Sequence, residues 1–209
     1  MAAELREKNV MRGFQRELQR HEEDMKAVDI LHDAAFKGNM DAMQAMLVSK
    51  DEEAIIKSKD DKDGENGSLQ VDRPHPKDGR TLLHSAAQGL PSGMVEFLTM
   101  PPYHANLEAK DFRGRTPLLH ACSLGQSRIA TRLIALGADE HTEDDEGMGA
   151  GVVAAQAGHI SMVLWLHNCA GVKVHAPTKD GRTALHMAAF AGQTHGIVLA
   201  AHFRKKIEV

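Results

Sequence analysis

The chain has 209 residues, a net charge of −4, 42% hydrophobic residues and only 4% aromatic residues. No apolar run approaches the roughly 18 residues of a membrane span, the charged opening MAAELREKNV has no secretory apolar core, and the acidic balance argues against a general nucleic-acid binder, which would carry a basic surplus. Few aromatics among many Ala, Leu and Met favour small-residue helix packing over a β-sandwich.

Residues 1–27 carry Met11, Phe14, Leu18 and Met25 at spacings of 3, 4 and 7, among six Lys/Arg and six Asp/Glu. That spacing predicts an amphipathic helix, read as a cap over the apolar edge of the adjoining segment or as a short coiled-coil segment. Residues 28–49 hold Leu31-His32-Asp33-Ala34-Ala35 and Gly38, then Ala42, Met43, Met46 and Leu47 at helical spacing. This is an atypical version of a pattern that returns more fully downstream, as expected of a terminal unit with one face toward water. The segment 50–76 is dense in charge and poor in apolar residues and reads as a polar, acidic loop insertion.

From Thr81 onward the same block recurs, at Thr81 (TLLHSAAQG), Thr116 (TPLLHACSLG), Gly149 (GAGVVAAQAG) and Thr183 (TALHMAAFAG), with gaps of 35, 33 and 34 residues. A period in that range means stacked supersecondary units. Each unit has helix start and stop chemistry. Thr116 suits an N-cap, and Pro117 sits at the first helical position, where its missing N–H costs nothing. Gly125 suits the left-handed residue that ends the helix. Ile129, Leu133 and Ile134 then mark a second helix ending at Gly137, and Gly147 closes a turn into the next unit. His84 and His186 lie three residues after Thr81 and Thr183, where a ring nitrogen can bond back to the cap in the manner of a capping box.

The segments GRTLLHSAA (79–87), GRTPLLHAC (114–122), GRTALHMAA (181–189) and LGAD (136–139) follow G-x-T-P-L-H-x-A-A and G-A-D, the pattern of the ankyrin repeat, and the chain resembles that family over about residues 28–203. The resemblance implies an all-α solenoid of about five helix-turn-helix units with β-turn fingers, preceded by the N-terminal helix. The chain then divides into 1–27, an atypical first repeat 28–49, the insertion 50–76, four repeats 77–203 and a polar tail 204–209. Two units depart from the pattern. Leu119 occupies the histidine position of the third unit, with His120 one step on, so that cap bond is expected to be missing. Gly149-Ala150-Gly151-Val152 replace T-P-L-H in the fourth, and helical glycine costs up to about 1 kcal/mol against Ala, so this unit is expected to be the soft point of the array.

The family implies a partner protein bound on the finger tips and the exposed face of the first helices. Mapped here, those are Asp78, Arg80, Phe112, Arg113, Arg115, Asp145, Lys179 and Arg182 on fingers, and Ser85, Gln88, His120, Ser123, Leu124, Gln156, Met187 and Phe190 on helices. Phe112 among arginines reads either as a binding anchor or as a ring packed on the neighbouring finger. The acidic run Asp139–Glu146 reads as a solvated finger or as a docking surface for a basic segment. Thirteen histidines invite a metal, but no paired ligand spacing such as H-E-x-x-H or C-x-x-C occurs, so no metal and no cofactor are expected. Cys122 and Cys169, each inside a helical block, point to a reducing, cytoplasmic setting rather than a disulfide framework, and neither has the basic surroundings of a nucleophile. The expected function is a non-enzymatic protein-interaction module, an adaptor or scaffold. The alternative is a structural subunit of a cytoskeletal or axonemal assembly that docks also through the N-terminal helix and acidic loop.

Overall fold

The computed structural model of the chain describes residues 19, 22–47, 71–89, 92–172 and 177–190. Most of the N-terminal helix predicted over 1–27, most of the insertion, the end of the fifth unit, the 204–209 tail, His175, His195 and His202 lie outside the described residues, as does the side chain of Cys169. The described residues form helices α1 (22–37) and α2 (40–47), then α3 (Leu82–Gln88), α4 (Ser92–Thr99), α5 (Pro117–Ser123), α6 (Ser127–Ala135), α7 (Ala150–Gln156), α8 (Ile160–Cys169) and α9 (Ala184–Phe190). Among the described residues no strand occurs, only an isolated antiparallel bridge between Glu143 and Gly149. The fold is an all-α repeat solenoid.

Local chemistry explains the starts of α3 and α5. Thr116 is extended (φ −85°, ψ 165°), its hydroxyl accepts from the Leu119 amide and Pro117 opens α5. At Thr81 the cap is reciprocal: the Thr81 side chain faces the His84 backbone amide, and the backbone N–H of Thr81 donates to His84 Nδ1 at 3.0 Å, with the hydroxyl 2.9 Å from the same nitrogen. The fourth unit has no side-chain cap at Gly149. The first helices α3, α5, α7 and α9 pack in sequence against one another, and each of α3, α5 and α7 packs on its own second helix. Because α7 lies between α5 and α9, its residues Ala150–Ala155 are all buried, which suits a helix apolar all round. The small residues Ala86, Ala87, Ala121, Cys122, Ala154, Ala155 and Ala188 are 0–1% exposed and let these short helices approach closely. Val71 and His75, inside the segment read as an insertion, are 1% and 7% exposed and so belong to the packed part of the chain.

The fingers are built by one recurring turn. Asp111 Oδ1 accepts from the amides of Arg113 (2.8 Å) and Arg115 (2.9 Å), and Asp144 Oδ1 accepts from those of Glu146 (3.0 Å) and Met148 (2.9 Å). Successive fingers are then joined by single backbone bonds: Phe112 N–H to Asp78 C=O (3.0 Å), Asp145 to Arg113 (3.1 Å) and Lys179 to Glu146 (3.3 Å). Glycine is required where they meet. Gly79 has φ +76°, and a Cβ there would stand 2.4 Å from the Phe112 ring and 2.8 Å from its backbone nitrogen.

Candidate functional site

The residues assigned to the contact face fall into three groups. The first forms a hydrogen-bonded row across the second and third units. Asp78 pairs with Arg80 (Nε to Oδ2, 2.6 Å), and Arg80 donates to Gln88 Oε1 at 3.0 Å. Gln88 Nε2 lies 2.9 Å from His120 Nδ1, and His120 Nε2 lies 2.9 Å from Asp111 Oδ2. With the Gln88 amide as donor, Nδ1 accepts and His120 donates its Nε2–H to the carboxylate. The row continues into the first unit, where His32 Nδ1 is 2.7 Å from Ser85 Oγ and His75 Nε2 is 2.7 Å from Asp29 Oδ1. Rings meet edge to face at both junctions, His32 with His75 at 4.9 Å and His84 with His120 at 5.2 Å. A groove of about 350 Å³ opens beside the row, with Phe36, 48% exposed, among its lining residues.

The electrostatics of the row follow first from burial and then from these bonds. His84 is 0% exposed, and burial, the largest cause, brings its pKa down to about 4. Geometry gives an independent reason. Nδ1 receives the Thr81 amide and Nε2 lies 2.8 Å from the Arg115 carbonyl, which can only accept, so the ring is the neutral Nε2–H tautomer. Desolvation, then the neighbouring His75, likewise brings His32 down to about 4, and desolvation lowers His120 against the pull of Asp111. For Asp111 burial works upward, yet the Arg115 amide, His120 and the Arg113 amide together hold its carboxyl below the usual range.

The second group is exposed. Phe112 (66%), Leu124 (48%) and Phe190 (82%) are large apolar side chains in solvent; Arg113, Asp145, Lys179 and Arg182 are also exposed, and Gln156 is half-buried. The Phe112 ring lies against Gly79 of the neighbouring finger while two thirds of the residue stays open. Lys179 extends to the Asp145 carbonyl at 2.7 Å, which ties two finger tips together.

The third group corrects the sequence reading. Arg115 donates to Asp144 at 3.2 Å with its side chain 18% exposed, so it is an inter-finger bond rather than a free tip. Met187 is 4% and Ser85 6% exposed. Both belong to a repeat position, shared with His120 and Val153, that faces the seam between consecutive first helices. Ser123 donates to the His120 carbonyl of its own helix at 2.8 Å. Within the acidic run, Asp144 has its side chain 2% exposed and builds the turn, whereas Asp139, Glu143, Asp145 and Glu146 face solvent. The cap pair Thr183 and His186 has the same geometry as Thr81 and His84 (amide to Nδ1, 3.2 Å) but lies less deeply, and Thr116 and Pro117 are buried. Sequence reasoning missed Asp29, His75, Asp111 and Asp144 as partners in this network. The D-x-x-G spacing at Asp111 and Asp144, ahead of Gly114 and Gly147, was the available signal for the last two.

Two family models match the chain, ankyrin repeats (3 copies) over residues 31–144 and ankyrin repeats (many copies) over 152–200. The chain belongs to the ankyrin-repeat family. Ankyrin repeats indicate protein–protein interaction, and among similar proteins is NF-kappa-B inhibitor delta of Mus musculus, 33% identical over 55% of this chain and 36% of that protein. Protein phosphatase 1 regulatory subunit 27 of Mus musculus is 39% identical over 38% of the chain and 49% of its own length. ADP-ribosylation factor GTPase-activating protein AGD4 of Arabidopsis thaliana is 36% identical over 44% of the chain but only 12% of its own length. The chain thus spans less than half of each of these relatives. Among the described residues no helix is long and apolar enough to cross a membrane, and no group of three or more His, Cys, Asp or Glu is placed to hold a metal ion.

Proposed function

We propose that this chain is a non-enzymatic adaptor that holds a partner protein across its finger tips and the ends of its first helices, in the cytoplasm. The observation that carries the reading is the set of exposed side chains Phe112, Leu124 and Phe190, on the elements that the repeat presents for contact. Large apolar side chains in solvent, with Arg113, Lys179 and Arg182 exposed on the fingers, suit hot-spot anchors accompanied by polar side chains. The polar row of the first three units supports the same reading from the other side. Its charges are already paired, so a partner meets a pre-organised surface rather than one that must order on binding. Cys122 supports a non-catalytic role, since burial pushes its thiol up to about 12, far from a thiolate nucleophile. Two of the relatives are named for regulating another protein, as an inhibitor and as a regulatory subunit, and regulation of a bound partner is part of the proposal.

The test is affinity capture of partners from the native source, repeated with Phe112→Ala plus Arg113→Ala. The expected result is weaker capture, by about tenfold for an anchor worth at least about 1.4 kcal/mol, at an unchanged melting temperature. Unchanged capture, or a large loss of stability, defeats the assignment of that tip.

A further inference from the structure

The fourth unit carries a cavity. It has a volume of about 330 Å³ and is lined by Glu140, His141, Glu143, Val152, Val172 and the glycines 147, 149 and 151. Gly147 matches Gly79 and Gly114 of the other fingers, but the other two glycines are peculiar to this unit. Gly149 stands where the units before it have the buried Thr81 and Thr116, and Gly151 stands where they have Leu83 and Leu118, 0% and 1% exposed. The backbone does not demand glycine at 149. Its φ of −79° and ψ of 173° are open to any residue, and a Cβ there would meet nothing closer than 3.9 Å. Two side chains that fill the neighbouring units are therefore missing where neither turn geometry nor crowding accounts for the glycine at 149, and space remains.

The walls and mouth of the space define what fits it. Val152 and Val172, 4% and 6% exposed, supply an apolar floor. Glu140 and Glu143 stand among the lining residues, with the Glu143 Oε2 3.7 Å from where a Cβ of Gly147 would be. The two lysines that reach toward this finger end on backbone carbonyls: Lys110 on that of Glu143 at 3.3 Å, Lys179 on that of Asp145 at 2.7 Å. The carboxylates of Glu140 and Glu143 have no lysine or arginine partner among the described residues, and His141 lies 3.9 Å from Glu140. A volume at the lower end of small-ligand sites holds one long side chain rather than a folded segment.

We infer that this cavity receives a lysine or arginine side chain of a bound partner, its aliphatic stem on the valines and its cation between the two glutamates. Such side chains lay their stems on apolar surface and keep the charge at the wet end. The inference rests on the partner-binding reading above and names a second anchor point for it.

The probe is the capped peptide Ac-Ala-Ala-Lys-Ala-Ala-NH2, titrated into the ¹⁵N-labelled full chain, with the norleucine analogue as control. Saturable amide shifts are expected at Gly147, Gly149 and Gly151 with the lysine peptide, and binding about fivefold weaker or lost with norleucine and with Glu140→Gln plus Glu143→Gln, the scale of a partly exposed ion pair. Gly151→Leu, which restores the side chain of the other units, should abolish the shifts without lowering the melting temperature. Equal shifts with the norleucine peptide overturn the proposal, as do shifts that survive the double glutamine variant, or shifts confined to Asp145 and Glu146 with still glycines. If Gly151→Leu fails to fold, the double glutamine variant decides. A silent cavity beside an intact Phe112/Arg113 effect on capture sinks this inference alone; shifts at the glycines without that effect sink only the finger-tip anchor.

Discussion

Mild acid should loosen this array through His84. In the fold its pKa is about 4, against the ordinary value of 6.5 that it regains on unfolding. The unfolded chain therefore binds a proton that the folded chain refuses between those values, and stability falls as pH drops from about 6.5 through about 4. At pH 5 the difference amounts to about 2 kcal/mol relative to pH 7 for this one ring, a large part of the 5–15 kcal/mol typical of a domain. His32, also held at about 4 but half-buried beside an open groove, adds a smaller amount in the same direction. The carboxylates of Asp29, Asp78 and Asp111 are held below 3.8, so their contribution is lost only at lower pH and does not confuse the window. Urea unfolding of the wild type and of His84→Gln at intervals from pH 7 to pH 5 makes the measurement. Glutamine can still accept from the Thr81 amide but cannot titrate. The wild-type curve should fall by about 2 kcal/mol more than that of the variant across the interval. Parallel curves would show that the locked tautomer has no energetic consequence, and the reasoning would fail.

Other substitutions probe the joints. At Gly149 a Cβ would meet nothing closer than 3.9 Å, and threonine offers the cap that Thr116 provides one unit earlier, so Gly149→Thr should raise stability by about 0.5–1.5 kcal/mol and slow hydrogen exchange across 150–156. No gain, or exchange in the wild type already as slow there as in Leu82–Gln88, would contradict the view of this unit as the soft point. Gly79→Ala should cost more than about 1 kcal/mol, since it combines a left-handed φ with a Cβ inside the Phe112 contact; adding Phe112→Ala should recover only part, because the Phe112 backbone nitrogen stays 2.8 Å away. Asp144→Ala removes two backbone acceptor bonds and the partner of Arg115, so a loss of about 2–4 kcal/mol in chemical denaturation is expected. A change within about 0.5 kcal/mol, ordinary for a surface site, would show that this acid belongs to solvent after all.

The sequence revealed what is local. Thr81 with His84, Thr116 with Pro117, and the turn glycines 114 and 147 each announce themselves within a few residues, because caps and tight turns are made by neighbours in the chain. The bonds that run between units were not legible. Asp29 meets His75, Gln88 meets His120 and Arg115 meets Asp144 across separations of 46, 32 and 29 residues, with no local mark on either partner. The burial of Met187 was missed for a related reason. Its repeat position looks exposed on an isolated helix and closes only when the neighbouring first helix packs against it. Asp144 was misread because charge density hid a turn: in a run of six acids, a buried one with a structural task looks like the rest.

The bond from His84 Nε2 to the Arg115 carbonyl has a practical side. An imidazole N–H in water exchanges with solvent too quickly to give a resonance of its own. This proton is shielded inside the seam of the second and third units and held at 2.8 Å by a backbone oxygen of the next finger. It is a label supplied by the molecule itself: its downfield signal exists only while those two units are closed on each other, and its disappearance would time their separation without a dye, a tag or a mutation.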